Sequence, residues 1–308
     1  GPCPPRAKGG VVRRRILIIV NPAAGRPRAA ERRLRRFVAA LERQGCRVML
    51  RRAGSCLGDA ERLAREAESD FDAIVAAGGD GTLNAVVNGL IGSPSPIGVL
   101  PLGTVNVLAR EIGLPRRSEE LASLIVESPV RPIWPGRITG RAFLMMASAG
   151  FDSETVAAVH PGLKARAGRF AFAWAAFVRL WNYRPCELVV QTDGVETRAA
   201  GLIAAKGRFY AGPFVVAPNA RLAEPSFELV LFHRAGRVAV LRYATALFLG
   251  RIPRLNGVTI LRARAVTVTS DRAVPVQADG EIAGCLPVTI EIADQPLFLI
   301  QPGRLNRG

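Results

Sequence analysis

Short apolar runs alternate with amphipathic stretches through the first hundred residues. "RILIIV" (15–20) is continuously apolar after its first residue, as a parallel strand buried on both faces requires. In the stretch that follows, Leu34, Phe37, Val38 and Leu41 recur at i, i+3, i+4 and i+7, and Gly45 supplies a stop. The pattern predicts further strands over 46–50, 73–78 and 97–103, with helices over 58–68, 81–90 and 104–112. Such alternation points to an N-terminal doubly wound parallel sheet with right-handed crossovers.

After residue 132 the period shortens to two. "ELVVQTDGVETRAAGLIAA" (187–205) places Asp193-Gly194 between two β-rich runs, and "FVVAPN", "FELVLF", "AVTVTS" and "PVTIEI" continue the pattern. The fold class expected is therefore α/β plus mainly β: a first domain over 12–132 and a C-terminal antiparallel β domain over 133–300, with a tail (301–308) that returns to the first. Two helices are expected inside the β domain, near 163–182 and 237–250, both read as core helices. The boundary is placed in "SPVRPIWPG" (128–136), whose three prolines should interrupt any regular element.

Composition narrows the classes. Of 308 residues 49% are hydrophobic and 22% charged, which excludes bulk disorder. Five scattered cysteines without a CxxC pair suggest neither a disulfide framework nor a zinc site and fit a reducing compartment. The N-terminal segment lacks the apolar core of a signal peptide, and no stretch has the roughly 18 to 20 apolar residues that span a bilayer. A formal charge of +17 suits nucleic acid, an anionic membrane or a phosphorylated substrate. Nearly all of it is arginine, with lysine only at Lys8, Lys164 and Lys206, so a compositional bias is an equally good account. Neither an RNP-type aromatic pair nor zinc-finger spacing is present, so no nucleic-acid partner is expected. His160 and His233 lie outside any motif and are read as surface or packing residues.

Chemistry concentrates at three strand-to-helix corners. "AAGGDGT" ends the strand over 73–78, "NPAAG" (21–25) follows the first strand, and "LGTVN" (102–106) follows "IGVLP". In a parallel sheet all three fall at the carboxyl edge, where ligands of such folds bind. Glycines let a bulky anion approach, and N–H groups at a helix start favour phosphate. Asp80 would repel phosphate unless a cation or a proton-bearing substrate stood between them. General templates do not decide the matter, since neither GxGxxG nor GxxxxGK[ST] is complete.

These motifs in combination, "NPAAG", "GGDGTLNAVVNGL" and "IGVLPLGTVNVLAREIGLP", resemble those of the diacylglycerol kinase catalytic-domain family, which includes soluble bacterial lipid kinases and sphingosine kinases. The likeness continues through "SAGFDSETV", "GPFVVAPNARLAEPSFELVLF" and "VQADGE" and so covers nearly the whole chain. It implies an NAD kinase/diacylglycerol kinase-like fold and an ATP- and Mg2+-dependent kinase acting on a lipid hydroxyl, that of a diacylglycerol-like lipid or of a sphingoid base. ATP would lie against Asn21, Pro22, Gly25, Gly78, Gly79, Gly81, Thr82, Asn84, Gly103, Thr104 and Asn106. Asp80 would meet the nucleotide's magnesium or the reacting hydroxyl, and Asp279 and Glu281 would supply the general base. The β domain would close over the nucleotide cleft and hold the lipid head group. A cytoplasmic enzyme, peripheral at an anionic inner membrane surface and able to form a homodimer, is the setting implied.

Two departures stand out. The accessory metal site of soluble bacterial members uses Asp-Gly-x-x-Asp, where this chain has Glu224-Pro225-Ser226-Phe227-Glu228. Glu224 with the carbonyls of Arg221 and Ser226 is the expected substitute. At the second corner Ala53-Gly54-Ser55 replaces the usual hydroxyl residues, removing one nucleotide contact. The alternatives are an NAD kinase-like or other small-molecule kinase, against which stands the lack of a second glycine-rich diphosphate loop, and a degenerate kinase fold that binds lipid or nucleic acid.

Overall fold

Ile16–Val20 are buried throughout, and this first strand organises the sheet around it. The structure is a computed structural model, and it describes residues 12–25, 27–54, 57–67, 70–158, 180–181 and 184–303. These fall into two units: one takes the residues up to Gly103, Ile112–Pro132 and those from Leu297 on, the other Thr104–Glu111 and Ile133–Pro296.

In the first unit β1 (Arg15–Val20) leads through α1 (Pro27–Arg43) to β2 (Arg47–Arg52) and through α2 (Leu57–Glu66) to β3 (Ala73–Gly78). There follow α3 (Asp80–Gly89) and β4 (Ile97–Pro101). The next helix, α4 (Val107–Glu111), belongs to the second unit, after which α5 (Ser118–Glu127) and β5 (Val130–Ile133) close the segment. The sheet runs β2-β1-β3-β4, then the late strand Leu297–Ile300, then β5, and its pairings from β2 to that late strand are parallel. β1, β3 and β4 are buried and β2, at the edge, is largely exposed, as their apolar content requires. Helix α1 buries Leu34, Phe37, Ala40 and Leu41. It ends in a left-handed Gly45 (φ 78°), whose N–H bonds the Glu42 carbonyl while that of Cys46 bonds Leu41, a Schellman stop.

The second unit is antiparallel. After β6 (Gly136–Ile138), β7 (Arg141–Phe143), β8 (Met146–Ala149) and α6 (Phe151–Ala158) come β9 (Leu188–Thr192), β10 (Val195–Ala199) and β11 (Gly201–Ala205). The short pair β12 (Phe209–Tyr210) and β13 (Phe214–Val215) precedes β14 (Phe227–Phe232) and α7 (Arg237–Phe248). β15 (Val258–Ala263), β16 (Ala265–Ser270), β17 (Pro275–Ala278), β18 (Glu281–Cys285) and β19 (Val288–Ile292) complete it. Two six-stranded sheets result, β10-β9-β16-β19-β6-β7 and β15-β14-β11-β8-β17-β18. Their inner faces share one core containing Phe143, Leu188, Leu202, Leu229, Val266, Val276 and Ile290. The Asp193-Gly194 turn joins β9 to β10 with φ of 49° and 77°, the positive pair that a two-residue hairpin needs.

Four expectations need correction. Pro132 lies inside β5, which is tolerated because β5 ends the sheet and a proline there forfeits no ladder bond on its outer side. The return to the first unit begins at Leu297, whose strand pairs with β4, and not after residue 300. Residues 104–111 leave that unit, and α4 starts at Val107 because Asn106 holds φ 50° before it. Helix α7 is not a core helix, since it buries only Ala239 and Ala246 and exposes Val238, Leu241 and Phe248. The helix expected near 163–182 lies outside the described residues except for 180–181, as does His160.

One buried charge ties the segment just before β1 into the first unit. Arg13 Nη1 donates to the carbonyls of Ile125 (2.9 Å) and Ser128 (3.0 Å) at the end of α5, and burial holds the guanidinium below its ordinary pKa. Arg13→Met should strand those carbonyls and cost roughly 1–3 kcal/mol of stability, seen as a lowered thermal midpoint.

Candidate functional site

The three glycine-bearing corners of the first unit are held together by their own backbone. Asn21 N–H donates to the Ala77 carbonyl (3.0 Å), its Oδ1 accepts from Ala23 N–H (2.9 Å), and its Nδ2 donates to Thr82 Oγ1 (3.1 Å). One asparagine thus shapes its own turn and reaches the next corner. Leu102 and Gly103 N–H both donate to the Gly78 carbonyl, at 2.8 and 3.2 Å. Close approach explains two of the glycines. A Cβ on Gly25 (φ 69°) would lie 2.0 Å from the Leu102 carbonyl oxygen, and one on Gly78 would lie 2.3 Å from Thr82 Oγ1.

Gly79 caps α3 with extended backbone and no side-chain hydrogen bond, so the helix start presents main chain. Asp80 is the first helical residue, with Gly81 and Thr82 completing the turn. Asn84 lies one turn along, its carbonyl and Oδ1 accepting from Asn88 Nδ2 at 2.9 and 3.0 Å. Pro22 occupies the exposed turn after β1. Asn21, Gly25, Gly78, Thr82, Leu102 and Gly103 are therefore brought together at the carboxyl ends of β1, β3 and β4, a concentration of small residues and helix-start N–H groups suited to phosphate. At the second corner Gly54 packs on Asp59, and Ser55 lies outside the described residues. Thr104 and Asn106 fall in the second unit, where the Asn106 carbonyl accepts from Arg110 N–H (3.2 Å) to begin α4.

The second unit contains Asp279 and Glu281. Asp279 Oδ2 accepts from Leu144 N–H (2.7 Å), and Oδ1 accepts from Met145 (2.9 Å) and Met146 (3.0 Å). Asp279 N–H returns a bond to the Met146 carbonyl (2.9 Å). The carboxylate thus fastens the Asp279–Glu281 turn, which has φ of 49° at Asp279 and 84° at Gly280, onto the start of β8. Glu281 opens β18 half-buried, its main chain paired opposite Ala278 and its carboxylate without a hydrogen-bond or ion-pair partner among the described residues.

Beside this turn lies a polar network to which the sequence reading gave no role. Asp152, from "SAGFDSETV", accepts from the hydroxyls of Ser148 and Tyr210 and from Gln277 Nε2 (3.1 Å). Gln277 Oε1 in turn accepts from Gly280 N–H (2.8 Å). Burial, and then the Asp152 charge, push the Tyr210 hydroxyl well above its ordinary pKa. The signal was present in the motif, but without coordinates nothing linked Asp152 to residues 58 and 125 positions away.

The loop expected to bind an accessory metal has different contents. The carbonyls of Arg221, Glu224 and Ser226 do converge, but on Lys206 Nζ, at 3.2, 2.5 and 2.7 Å. The Glu224 carboxylate is turned away to Arg262 at 3.0 Å. Burial lowers the Lys206 pKa to about 7 and the Glu224 charge opposes this. Three accepting carbonyls require three N–H donors, which only the ammonium form supplies, so the contacts argue for the charged form. Among the described residues no cluster of histidine, cysteine, aspartate and glutamate could hold a metal.

Comparison with known proteins agrees with this geography. Residues 15–138 match the family model of the diacylglycerol kinase catalytic domain, and residues 145–301 match the YegS C-terminal NAD kinase beta sandwich-like domain. The diacylglycerol kinase of Bacillus subtilis strain 168 is 31% identical over 280 residues, covering 89% of this chain and 92% of its own. That of Staphylococcus saprophyticus is 28% identical over 281 residues, covering 90% and 92%. A Bacillus anthracis structure superposes with a TM-score of 0.81 at 22% identity, over 97% of this chain and 99% of its own. A diacylglycerol kinase structure from the same organism gives 0.72 at 20%, over 95% and 98%. At those identities the structures testify to the fold.

Replacing one Asp279 oxygen by a donor should leave backbone N–H groups without acceptors, so Asp279→Asn is expected to lose about 1–3 kcal/mol of stability. Glu281→Gln should stay within about 0.5 kcal/mol of the parent. Thermal melts of the two variants side by side check the contrast.

Proposed function

The chain belongs to the diacylglycerol kinase catalytic-domain family, and on that premise we propose that it transfers the γ-phosphate of ATP, with Mg2+, to the hydroxyl of a diacylglycerol-like lipid. The Gly78–Thr82 corner carries this reading. It places small residues and a helix start at the carboxyl edge of the sheet, with a carboxylate as the first helical residue. Asn21, Gly25, Gly79, Gly81 and Thr82 bind the phosphates through main chain and hydroxyl. Asp80 is the residue of this chain suited to hold the nucleotide's magnesium, which neutralises phosphate charge when bound.

In the step itself the lipid oxygen bonds to the γ-phosphorus as the bond from that phosphorus to the β–γ bridging oxygen breaks. The hydroxyl proton goes to a carboxylate, leaving ADP and the phosphorylated lipid. We assign the proton to Glu281, because both Asp279 oxygens already accept backbone N–H groups and fix the turn on which Glu281 stands.

The substrate's location gives α7 a use. Val238 (82% exposed), Leu241 and Phe248 (74% exposed) form one stripe continued by Leu249, flanked by Arg237 and Arg242 and followed by Arg251 and Arg254. A helix with exposed apolar residues between arginines suits an anionic lipid surface, each arginine adding about 1 kcal/mol. No helix among the described residues is long and apolar enough to cross a membrane.

Labelled γ-phosphate should pass from ATP to diacylglycerol in mixed micelles, with losses of about 100-fold or more for Asp80→Asn and Glu281→Gln. A chain that binds ATP but labels no lipid would overturn the assignment. In vesicle sedimentation, Leu241→Asp with Phe248→Asp should weaken binding to anionic vesicles about tenfold or more, and equal binding of the parent to neutral and anionic vesicles would remove the membrane reading.

A further inference from the structure

We propose that Lys206 is an internal cation, whose ammonium holds the Arg221–Ser226 loop by three carbonyls and makes the order of that loop independent of any divalent metal. Lys206 is fully buried, and its Nζ stands at the point where the Arg221, Glu224 and Ser226 carbonyls converge. An ammonium has three protons and no acceptor, so three carbonyls match its valence. Calcium takes six to eight oxygens at about 2.3–2.6 Å, and magnesium six at about 2.0–2.1 Å. Here the oxygens lie 2.5–3.2 Å from Nζ, the spacing of hydrogen bonds.

The acids that might raise the oxygen count are engaged elsewhere. Glu224 pairs with Arg262 at 3.0 Å, and Glu228 Oε2 accepts from Asn219 N–H at 3.1 Å. Both carboxylates thus support the loop from outside its centre. A metal entering the loop would have to expel the ammonium from these three carbonyls, and the carboxylates of Glu224 and Glu228 already pair with Arg262 and Asn219 N–H. The residues present do not fit a divalent ion, and they fit a lysine.

The same residue also ties the loop to the Asp279 turn. Lys206 and Gly207 N–H donate to the Met145 carbonyl at 2.8 and 3.2 Å, and Met145 N–H donates to Asp279 Oδ1 at 2.9 Å. The side chain holds one loop while the main chain beside it supports the strand end on which the other is fastened. The two loops are therefore joined by hydrogen bonds through Lys206 and Met145.

The test is thermal denaturation of the full chain without nucleotide, after chelation with EDTA and after adding millimolar Mg2+ or Ca2+, for the parent, Lys206→Met and Lys206→Ala. The parent midpoint should be unchanged by chelator or metal, and both variants should melt roughly 5 °C or more lower. Partial recovery of Lys206→Ala by ammonium or Ca2+, with none for Lys206→Met, would further identify the vacated centre as a cation site. A parent midpoint that falls on chelation and recovers with metal would overturn the proposal, as would a Lys206→Met variant as stable as the parent. Should neither variant accumulate, titration calorimetry of the parent with Ca2+ decides: no saturable uptake upholds the proposal and stoichiometric uptake refutes it.

Discussion

Irregular backbone carries N–H and C=O groups that no ladder or helix satisfies, and where it is buried something must bond them. That constraint shapes every loop of interest in this chain. Asn21 bonds its own turn and the α3 corner, Arg13 closes the end of α5, Asp279 gathers three N–H groups, and Lys206 gathers three carbonyls. Arg13, Asp279 and Lys206 each bond main chain distant in sequence, while Asn21 bonds main chain two residues on and reaches across to the Thr82 hydroxyl. The sheets provide the rigid frame, and these side chains decide where the loops between strands come to rest.

The division of labour between acids follows from this. Asp279 is bound so fully by backbone that its carboxylate is part of the scaffold, while Glu281, two residues on, is not bound by such contacts among the described residues. Asp152 is another scaffold acid, drawing Ser148, Tyr210 and Gln277 around one carboxylate next to the same turn. Removing any scaffold acid disturbs geometry as well as chemistry, so loss of activity at such a position does not by itself identify a proton acceptor.

What could be read in advance was what repeats locally. The continuous apolar runs of β1, β3 and β4, the stripe of α1 and the Asp193-Gly194 hairpin depend on neighbours in sequence, and they stand where periodicity placed them. The glycine corners were legible because tight turns leave few residue choices. Contacts between distant residues were not. Nothing in "EPSFE" indicated that its carbonyls face Lys206, and an apolar run such as "VAVLRYATALFLG" reads the same whether its stripe meets a core or solvent. The start of α4 depended on a left-handed Asn106, which a helical pattern over 104–112 does not show.

The convergence of three carbonyls on one nitrogen has a bearing on the chain's composition. Its 42 basic residues are almost all arginine, and among the described residues Lys206 is the only lysine. A guanidinium spreads five donors over a rigid plane and cannot offer three of them from one atom, whereas an ammonium is a compact point charge. The preference for arginine, which extends to the buried Arg13, therefore meets a geometric limit at this one loop. At position 206 the exchange usually regarded as conservative would demand a different loop.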